Sequence, residues 1–501
     1  MARPSRTEPR MDLPLGNLWT LAATLLSGAI AMFAAGHTLL TKRDERATVA
    51  WVGLILLLPI IGSLLYFLFG INRIHRRARV LRGQHVTPME LEKRAASEMR
   101  RVPTVPSAGS WTPHVPPAGM SAGLATLGQK LFAADYLDGN ALIPLANGDT
   151  AYPAMLEAIR SAQHSIALST YIFNRDEAGL AFVDALADAV ARGVEVRVLI
   201  DGVGSHYSMP PVVAELRRRR VTVARFLYSL WPWRMPYLNM RNHQKILVVD
   251  GKLGFTGGMN IAVGNLHASN PKRRIADTHF QVQGPVVGQL MQLFAHEWEF
   301  ATSEELQGAA WFPTLEPAGQ QIVRAIAAGP DQDTNPIRWT LLGALAEARH
   351  EIRIVTPYFL PDAALETGLR LAALRGVAVD IVMPEANNLP FVKWAANAQL
   401  EPLIDAGCRI YFAQGPFDHS KLMIVDGAWS MVGSANWDPR SLRLNFELNL
   451  ECYGAEFADE LDRRIGSRID TARRLTRSAL DRRPLVFKLR DAAIRLLSPY
   501  L

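Results

Sequence analysis

The sequence predicts an α/β chain made of two tandem copies of one domain. Each copy is a mixed β-sheet with helices on both faces, and the pair sits about a pseudo-two-fold axis behind an N-terminal two-helix transmembrane hairpin. Three observations predict it. Two apolar runs free of Asp, Glu, Lys and Arg stand in tandem near the N-terminus, the rest of the chain repeats itself at a spacing near 180 residues, and β-branched strands alternate with helical segments in each copy. At 501 residues and 49% hydrophobic content, the chain is neither a disulfide miniprotein nor a disordered or collagenous protein. Its two cysteines, Cys408 and Cys452, cannot build a disulfide framework or a four-thiolate zinc site, and they suit reduced core thiols in a cytosol-facing domain.

The hairpin comes first, over residues 1–70. Leu18 to Leu40 gives 23 uncharged residues and Val49 to Phe69 gives 21, and either is long enough as a helix to cross about 30 Å of hydrocarbon. The short charged turn Lys42-Arg43-Asp44-Glu45-Arg46 joins them, and a cleaved signal peptide would not be followed by a second span. Arg3, Arg6 and Arg10 precede the first run, and Arg73, Arg76, Arg77, Arg79 and Arg82 follow the second, so both ends are expected in the cytoplasm. Trp19 and Trp51 suit interfacial anchoring. Nine Lys/Arg against three Glu between Ile71 and Val102 leave 9 − 3 = +6 of the chain's +7 net charge in one place. Directly behind an apolar run, such a cluster fits anionic lipid headgroups better than nucleic acid.

Pro103 to Gly123 is rich in Pro, Gly, Ser and Ala without apolar periodicity and is expected to be a linker, so residues 71–125 form a basic juxtamembrane segment and spacer. The two domains are then expected at 126–310 and 311–460, followed by a basic C-terminal helical arm at 461–501 that either lies on the membrane or is solvated. The repeat is visible in AQHSIALSTYIF (162–173) against ARHEIRIVTPYF (348–359), and in RGVEVRVLID (192–201) against RGVAVDIVMP (375–384). A spacing this long indicates a duplicated domain and not a solenoid.

The most informative repeat is RNHQKILVVDGKLGFTGGMN (241–260) against DHSKLMIVDGAWSMVGSAN (418–436). Each is expected to form a hairpin turning at Asp-Gly. On a strand, residues i and i+2 share a face, so His243 lies beside Lys245, and His419 beside Lys421. Asp250 and Asp426 follow their lysines by an odd step and are expected to brace the turn. One neutral imidazole can attack phosphorus while the other protonates the departing alkoxide, and the two ammonium groups can neutralise the phosphoryl oxygens. No metal-ligand motif is present, and neither metal nor other cofactor is expected. Asn260 and Asn436 are candidate donors to the same phosphate, and Ser434, which stands where the first copy has Gly258, would make those contacts uneven. Asp277 and Glu447 hold corresponding places and either orient the imidazoles or form salt bridges. Since each copy has one His-Lys pair, the two should meet face to face and share one site.

These strings resemble the paired His-x-Lys-x4-Asp motifs of the phospholipase D superfamily. They are similar to its cardiolipin synthase branch in the two spans followed by Asn72-Arg73, in RNHQKILVVDG with GFTGGMN, in PYFLPD (357–362) and in SANWDPRSLRLNFELN (434–449), from about Trp19 to the C-terminal LLSPYL. The resemblance implies two phospholipase D-like domains, with His243 as nucleophile and His419 as general acid; the near-symmetry of the copies leaves that order open from the residues alone. It also implies a bacterial inner-membrane, multi-pass phosphatidyltransferase with its catalytic domains on the cytoplasmic side. Two molecules of phosphatidylglycerol would be condensed to cardiolipin and glycerol through phosphohistidine. Phosphatidylethanolamine is an alternative acceptor. The rival activities are hydrolysis to phosphatidic acid and, with no nucleic-acid module evident, a membrane-tethered nuclease.

The aromatic stretch Phe226 to Arg241, with Trp231, Trp233, Arg234 and Tyr237, suits either a loop dipping into headgroups or packing against the other copy.

Overall fold

The computed structural model describes residues 15–42, 45–70, 122–131, 134–228, 240–268, 274–330 and 335–498. The flanking arginines Arg3, Arg6 and Arg10, most of the 71–125 segment, and Trp231, Trp233, Arg234 and Tyr237 lie outside them. The chain divides into two compact units, 1–76 and 77–501.

Among the described residues of the N-terminal unit, one helix, Leu15–Thr41, is long and apolar enough to cross a membrane; its 27 residues span roughly 40 Å. The second apolar run differs from the expectation of one continuous helix. It forms a helix Glu45–Leu57, breaks at Leu58, restarts as Pro59–Leu65 and ends in a π-turn, Tyr66–Gly70. Proline drives the break, because its ring disfavours helical geometry at the preceding residue, and Leu58 has φ −131° and ψ 74°. The pieces still pack on the first helix through Ala31, Ala34, Ile55 and Tyr66, and the Tyr66 hydroxyl lies 2.7 Å from His37 Nδ1.

The larger unit holds seventeen strands among its described residues. In the first lobe these are β1 (Leu137–Ala146), β2 (Ser165–Thr170), β3 (Glu195–Asp201), β4 (Thr222–Phe226), β5 (Ile246–Val249), β6 (Leu253–Gly257), β7 (Ile275–Ala276) and β8 (Thr278–Gln283). In the second they are β9 (Gln321–Ala328), β10 (Glu351–Val355), β11 (Ala378–Pro384), β12 (Arg409–Ala413), β13 (Phe417–Asp418), β14 (Leu422–Val425), β15 (Trp429–Gly433), β16 (Glu447–Tyr453) and β17 (Arg473–Leu475). Fifteen of them form one sheet in the order β17-β12-β11-β10-β14-β15-β16-β9-β1-β8-β6-β5-β2-β3-β4. Apart from the edge strand β17, that order is palindromic: β4, β3, β2, β5, β6, β8 and β1 answer β12, β11, β10, β14, β15, β16 and β9. The two lobes join at the antiparallel pair β1–β9, as a pseudo-two-fold requires. Parallel pairs (β2–β3, β3–β4) follow helical crossovers and antiparallel pairs follow hairpins, so the sheet is mixed.

Alternation fixes the two faces. Ile166, Leu168, Val196, Val198, Leu247, Val249 and Phe255 form a core with helices Asn147–Ser161 and Glu177–Ala191. Between Leu253 and Phe255, Gly254 faces the other way, toward Leu290 of helix Val286–Thr302. The second lobe repeats this arrangement with helices Pro336–Glu347 and Ala363–Leu374 in its core cluster and helix Ala455–Asp470 packed on its strands.

The domain edges differ from the sequence expectation at both ends. Helix Ala122–Leu131 packs Leu124 and Leu127 into the second lobe's core, against Gly343, although it precedes the first lobe in the chain. Residue 461 falls inside helix Ala455–Asp470, whose face of Phe457, Ala458, Leu461 and Ile465 is buried. Beyond it, β17 extends the sheet and helix Leu485–Arg495 packs on helix Pro390–Asn397, so the C-terminal arm is largely part of the second lobe.

Candidate active site

The two His-Lys motifs enter the site by the same local route. In each lobe an Asp-Gly turn closes the hairpin, β5–β6 or β14–β15, with positive φ at both central residues (Asp250 49°, Gly251 64°; Asp426 52°, Gly427 59°), as a type I′ turn needs. The Asp250 carboxylate accepts from the amides of Gln163, His164 and Ser165, and that of Asp426 from Arg349, His350 and Glu351. Both aspartates therefore clamp the hairpin tip to the start of the neighbouring strand, at the far end of β5 and β14 from the histidines.

At the near end, the segment before each hairpin is held by the opposite lobe. The His243 amide donates to the Phe446 carbonyl and the Phe446 amide to the Arg241 carbonyl, while the His419 amide donates to the Ala276 carbonyl and β13 pairs with β7. Phe446 and Ala276 immediately precede Glu447 and Asp277. This exchange sets each imidazole against the other lobe's carboxylate: His243 Nδ1 lies 3.0 Å from Glu447 Oε2, and His419 Nδ1 lies 3.0 Å from Asp277 Oδ2. With Nδ1 engaged, the Nε2 atom of each ring is left for the reacting group. The ring centroids are 6.3 Å apart and nearly perpendicular, a gap that one phosphorus can span with approaches of about 3 Å from either side.

Lys245 Nζ donates to the His243 carbonyl at 2.6 Å, and Lys421 Nζ to the His419 carbonyl at 2.5 Å. The Tyr171 ring touches both His243 (5.2 Å between centroids) and Lys245 (5.6 Å to Nζ), so that pair shares one side of the strand. Burial dominates the protonation of these groups. It pushes His243 down to about 4 despite the adjacent Glu447, lowers His419, and brings Lys245 to about 7 and Lys421 to about 8.

The lobes are not equivalent around the carboxylates. The Ser434 hydroxyl donates to Glu447 Oε2 at 2.5 Å and accepts from the Leu448 amide, and Asn445 Nδ2 donates to Oε1. Ser434, expected to bind phosphate, is fully buried and its hydroxyl is engaged with Glu447 and the Leu448 amide. In the first lobe Gly258 stands there, and a Cβ would approach the Asp277 oxygens to 2.6 and 2.8 Å, so Asp277 relies on the Thr278 amide. Asn260 Oδ1 accepts from the Ile172 amide and Asn436 Nδ2 donates to Ser441 Oγ, which places both asparagines on loops beside the site.

Ser434→Ala should accordingly lower kcat/KM by about tenfold, because one charge-assisted bond is lost. A less stabilised Glu447 attracts the imidazolium more strongly, so the acid limb of the kcat/KM profile should move to higher pH. A purely structural role would lower the folded fraction and leave that limb in place.

Several site residues escape sequence reasoning. Buried Asp201, raised to about 6, accepts from the Asn242 amide and fixes the approach to His243. Arg468 joins Asp418, Ser420 and Thr278 across the lobes. Tyr358 flanks His419 at 6.2 Å. Repeat position offers no signal for them, since Asp201 stands against Pro384 and Tyr358 against Ile172; it marks only the residues that Asp201 and Arg468 hold, Asn242 and Asp418, which correspond and each accept from the amide two residues on.

Known proteins carry the same organisation. A family model described as "Cardiolipin synthase, PLD-like domain" matches residues 155–298 and 341–469, and one described as "Phospholipase_D-nuclease N-terminal" matches 29–70. Cardiolipin synthase 1 of Bacillus anthracis is 30% identical over 495 residues, 97% of this chain and 94% of that protein. Major cardiolipin synthase ClsA of Bacillus subtilis (strain 168) is 31% identical over 464 residues, 92% of this chain and 95% of that one. The crystal structure of phosphatidylserine synthase from Haemophilus influenzae Rd KW20 shares the fold, with a TM-score of 0.60 at 14% identity over 75% of this chain and 100% of that one. The duplicated sheet, the crossed His-carboxylate pairs and near-full-length similarity agree, and the chain belongs to the cardiolipin synthase family of phospholipase D-like proteins.

Proposed function

We infer that this protein is a membrane-bound phosphatidyltransferase that condenses two phosphatidylglycerol molecules into cardiolipin and glycerol. The observation that carries this reading is the pair of imidazoles, one from each lobe, facing one another across a gap of one phosphate. In the first step His243 Nε2, neutral because burial holds its imidazolium unstable, bonds to phosphorus as the P–O bond to glycerol breaks. His419 gives its proton to the departing oxygen, and the substrate's negative charge raises that histidine's proton affinity. In the second step the hydroxyl of another phosphatidylglycerol bonds to phosphorus, its proton passes to His419, and the N–P bond breaks. Lys245 and Lys421 balance charge on the phosphoryl oxygens.

Product analysis tests the reading. Purified protein given labelled phosphatidylglycerol should release cardiolipin and glycerol in equal amounts, and phosphatidic acid as the sole labelled product would sink it.

The hairpin is proposed to cross a bacterial inner membrane twice, with the kinked second segment completing the return and the larger unit cytoplasmic. Leu485, Val486, Phe487 and Leu489 of the C-terminal helix are exposed among Arg482, Arg483, Lys488 and Arg490, which supports contact with an anionic bilayer. A fluorophore on Leu489→Cys should be quenched by lipid-borne quenchers in phosphatidylglycerol proteoliposomes, since the native thiols are buried and unlabelled. No quenching there would return the arm to solvent.

A further inference from the structure

The two His-carboxylate pairs of the site match in geometry but differ in what holds them. Glu447 is held directly, because Ser434 Oγ and Asn445 Nδ2 of its own lobe donate to its carboxylate. Asp277 Oδ1 accepts from the Thr278 amide at 2.8 Å while Oδ2 meets His419, so its placement passes to Thr278. Behind this second pair stands Arg468, near the end of helix Ala455–Asp470. Its Nη1 donates to the Arg464 carbonyl one turn back at 3.0 Å, which orients the guanidinium. Nε donates to Asp418 Oδ2 at 2.6 Å and Nη2 to both Thr278 Oγ1 and Ser420 Oγ at 3.2 Å, and those two hydroxyl oxygens lie 3.1 Å apart. All three partners are buried. They are also the chain neighbours of the reacting pair: Asp418 and Ser420 flank His419, and Thr278 follows Asp277. One planar fork thus grips the chain on both sides of His419 and ties it to the residue beside its carboxylate in the other lobe.

At the equivalent place the first pair lacks the residues for such a fork. With Asp277 matched to Glu447 and Gly284 to Gly454, Arg468 falls against Trp298 and Thr278 against Leu448; with His419 matched to His243, Ser420 falls against Gln244. The Trp298 indole donates to Glu304 instead. Duplication alone would give both histidines the same support, but their duties differ. His243 bonds to phosphorus, whereas His419 delivers a proton in one step and collects one in the next, so its Nε2 must be aimed at an oxygen both times. That aim depends on a 3.0 Å contact between opposite lobes, and hydrogen bonds weaken steeply when misaligned. A misplacement of about 1 Å can cost roughly a hundredfold in rate. We propose that Arg468 is a positioning residue for His419: its fork keeps the His419–Asp277 pair in register across the seam and so serves proton transfer, while attack by His243 does not depend on it. This rests on the phosphatidyl-transfer reading above and on its assignment of His419 as the acid.

The test compares two leaving groups on full-length protein in mixed micelles: phosphatidylglycerol labelled in its terminal glycerol, and phosphatidyl-p-nitrophenol. With either lipid the bond from His243 Nε2 to phosphorus forms as a P–O bond breaks. The departing glycerol oxygen takes a proton from His419, whereas p-nitrophenolate keeps the electron pair as a stable anion and needs none. First-turnover release is measured, before the phosphohistidine is resolved. In Arg468→Gln the ratio of glycerol release to p-nitrophenolate release should fall by about tenfold, part of the hundredfold or more that a positioned acid typically contributes. Because both rates come from one preparation, any loss of folded protein cancels in the ratio. Arg468→Lys, which keeps the charge and loses the planar fork, should lie between that variant and wild type. A ratio that falls by less than about threefold in Arg468→Gln overturns the proposal, including the case in which both rates drop together, as a merely structural role requires. Wild-type protein that releases p-nitrophenolate but no glycerol from phosphatidylglycerol would overturn the functional reading itself, a result separable from the first.

Discussion

Replacing His243, the proposed nucleophile, with alanine is expected to lower phosphatidyl transfer by roughly four orders of magnitude or more, because on that assignment the attacking nitrogen disappears. Rapid quenching of wild-type protein with labelled phosphatidylglycerol should leave label on the peptide that carries His243, stable to alkali and lost in acid. Label on the His419 peptide would reverse the two roles. His419→Ala should cost less, about two to four orders, since a positioned acid typically contributes that much. The pH dependence has a determined sign. The proposed mechanism needs neutral His243 and protonated His419, and burial lowers both, His243 to about 4. The kcat/KM profile of the free protein should therefore rise through an acid limb near pH 4 and decline through an alkaline limb below 6.5. Bound phosphodiester raises His419, so the alkaline limb of kcat should lie at higher pH than that of kcat/KM. Coincident alkaline limbs would remove His419 from the role of proton donor.

The histidines, lysines and carboxylates at the centre of this site were legible in the sequence because duplication wrote each of them twice. His-x-Lys fixed two side chains on one strand face, Asp-Gly between apolar runs fixed the hairpins, and the matched positions of Asp277 and Glu447 marked them as a pair. Their partners were not legible. The sequence leaves an orienting role and a salt bridge equally open for the carboxylates, and it cannot reveal that each reaches the histidine of the other lobe. That depends on backbone pairing between Phe446 and His243, and between Ala276 and His419, contacts made by residues far apart in the chain. The Ser434–Glu447 contact was not legible for a related reason: the Gly-to-Ser difference between copies is visible, but which groups the hydroxyl meets depends on the sheet register that sets Gly433 opposite Asn449. The break in the second apolar run was available in Pro59, whose local effect outweighs the hydropathy of the residues around it. The first-lobe placement of residues 126–131 failed because a helix takes the side of whichever core receives its apolar stripe, here Leu124 and Leu127, and not the side its chain position suggests.

Glu451→Ala is expected to destabilise the larger unit by about 3–5 kcal/mol, the usual cost of leaving one partner of a buried ion pair alone. Glu451 on β16 lies directly across from Arg324 on β9, both almost fully buried. Its carboxylate accepts from Arg324 Nε at 3.1 Å, Trp429 Nε1 at 3.1 Å and the Tyr453 hydroxyl at 2.8 Å, while the Arg324 guanidinium stacks 4.0 Å over the Tyr136 ring. Alanine at 451 therefore removes the carboxylate to which the Arg324 guanidinium, the Trp429 indole and the Tyr453 hydroxyl donate in the core, where each lost acceptor adds a desolvation cost. A lone Arg inside the apolar string IVRAIAAG gives no hint of this from sequence, because its partner comes 127 residues later. Thermal or denaturant unfolding followed by tryptophan fluorescence measures the loss. The double variant Arg324→Met with Glu451→Leu should recover most of it, since replacing a buried pair by apolar groups of similar volume is often neutral. Recovery would show that the cost lies in the unpaired charge. A double variant no more stable than Glu451→Ala would show instead that the shape of this network is required where the β9 strand joins the two lobes, and activity should then fall with stability, because both histidines depend on contacts made across that seam.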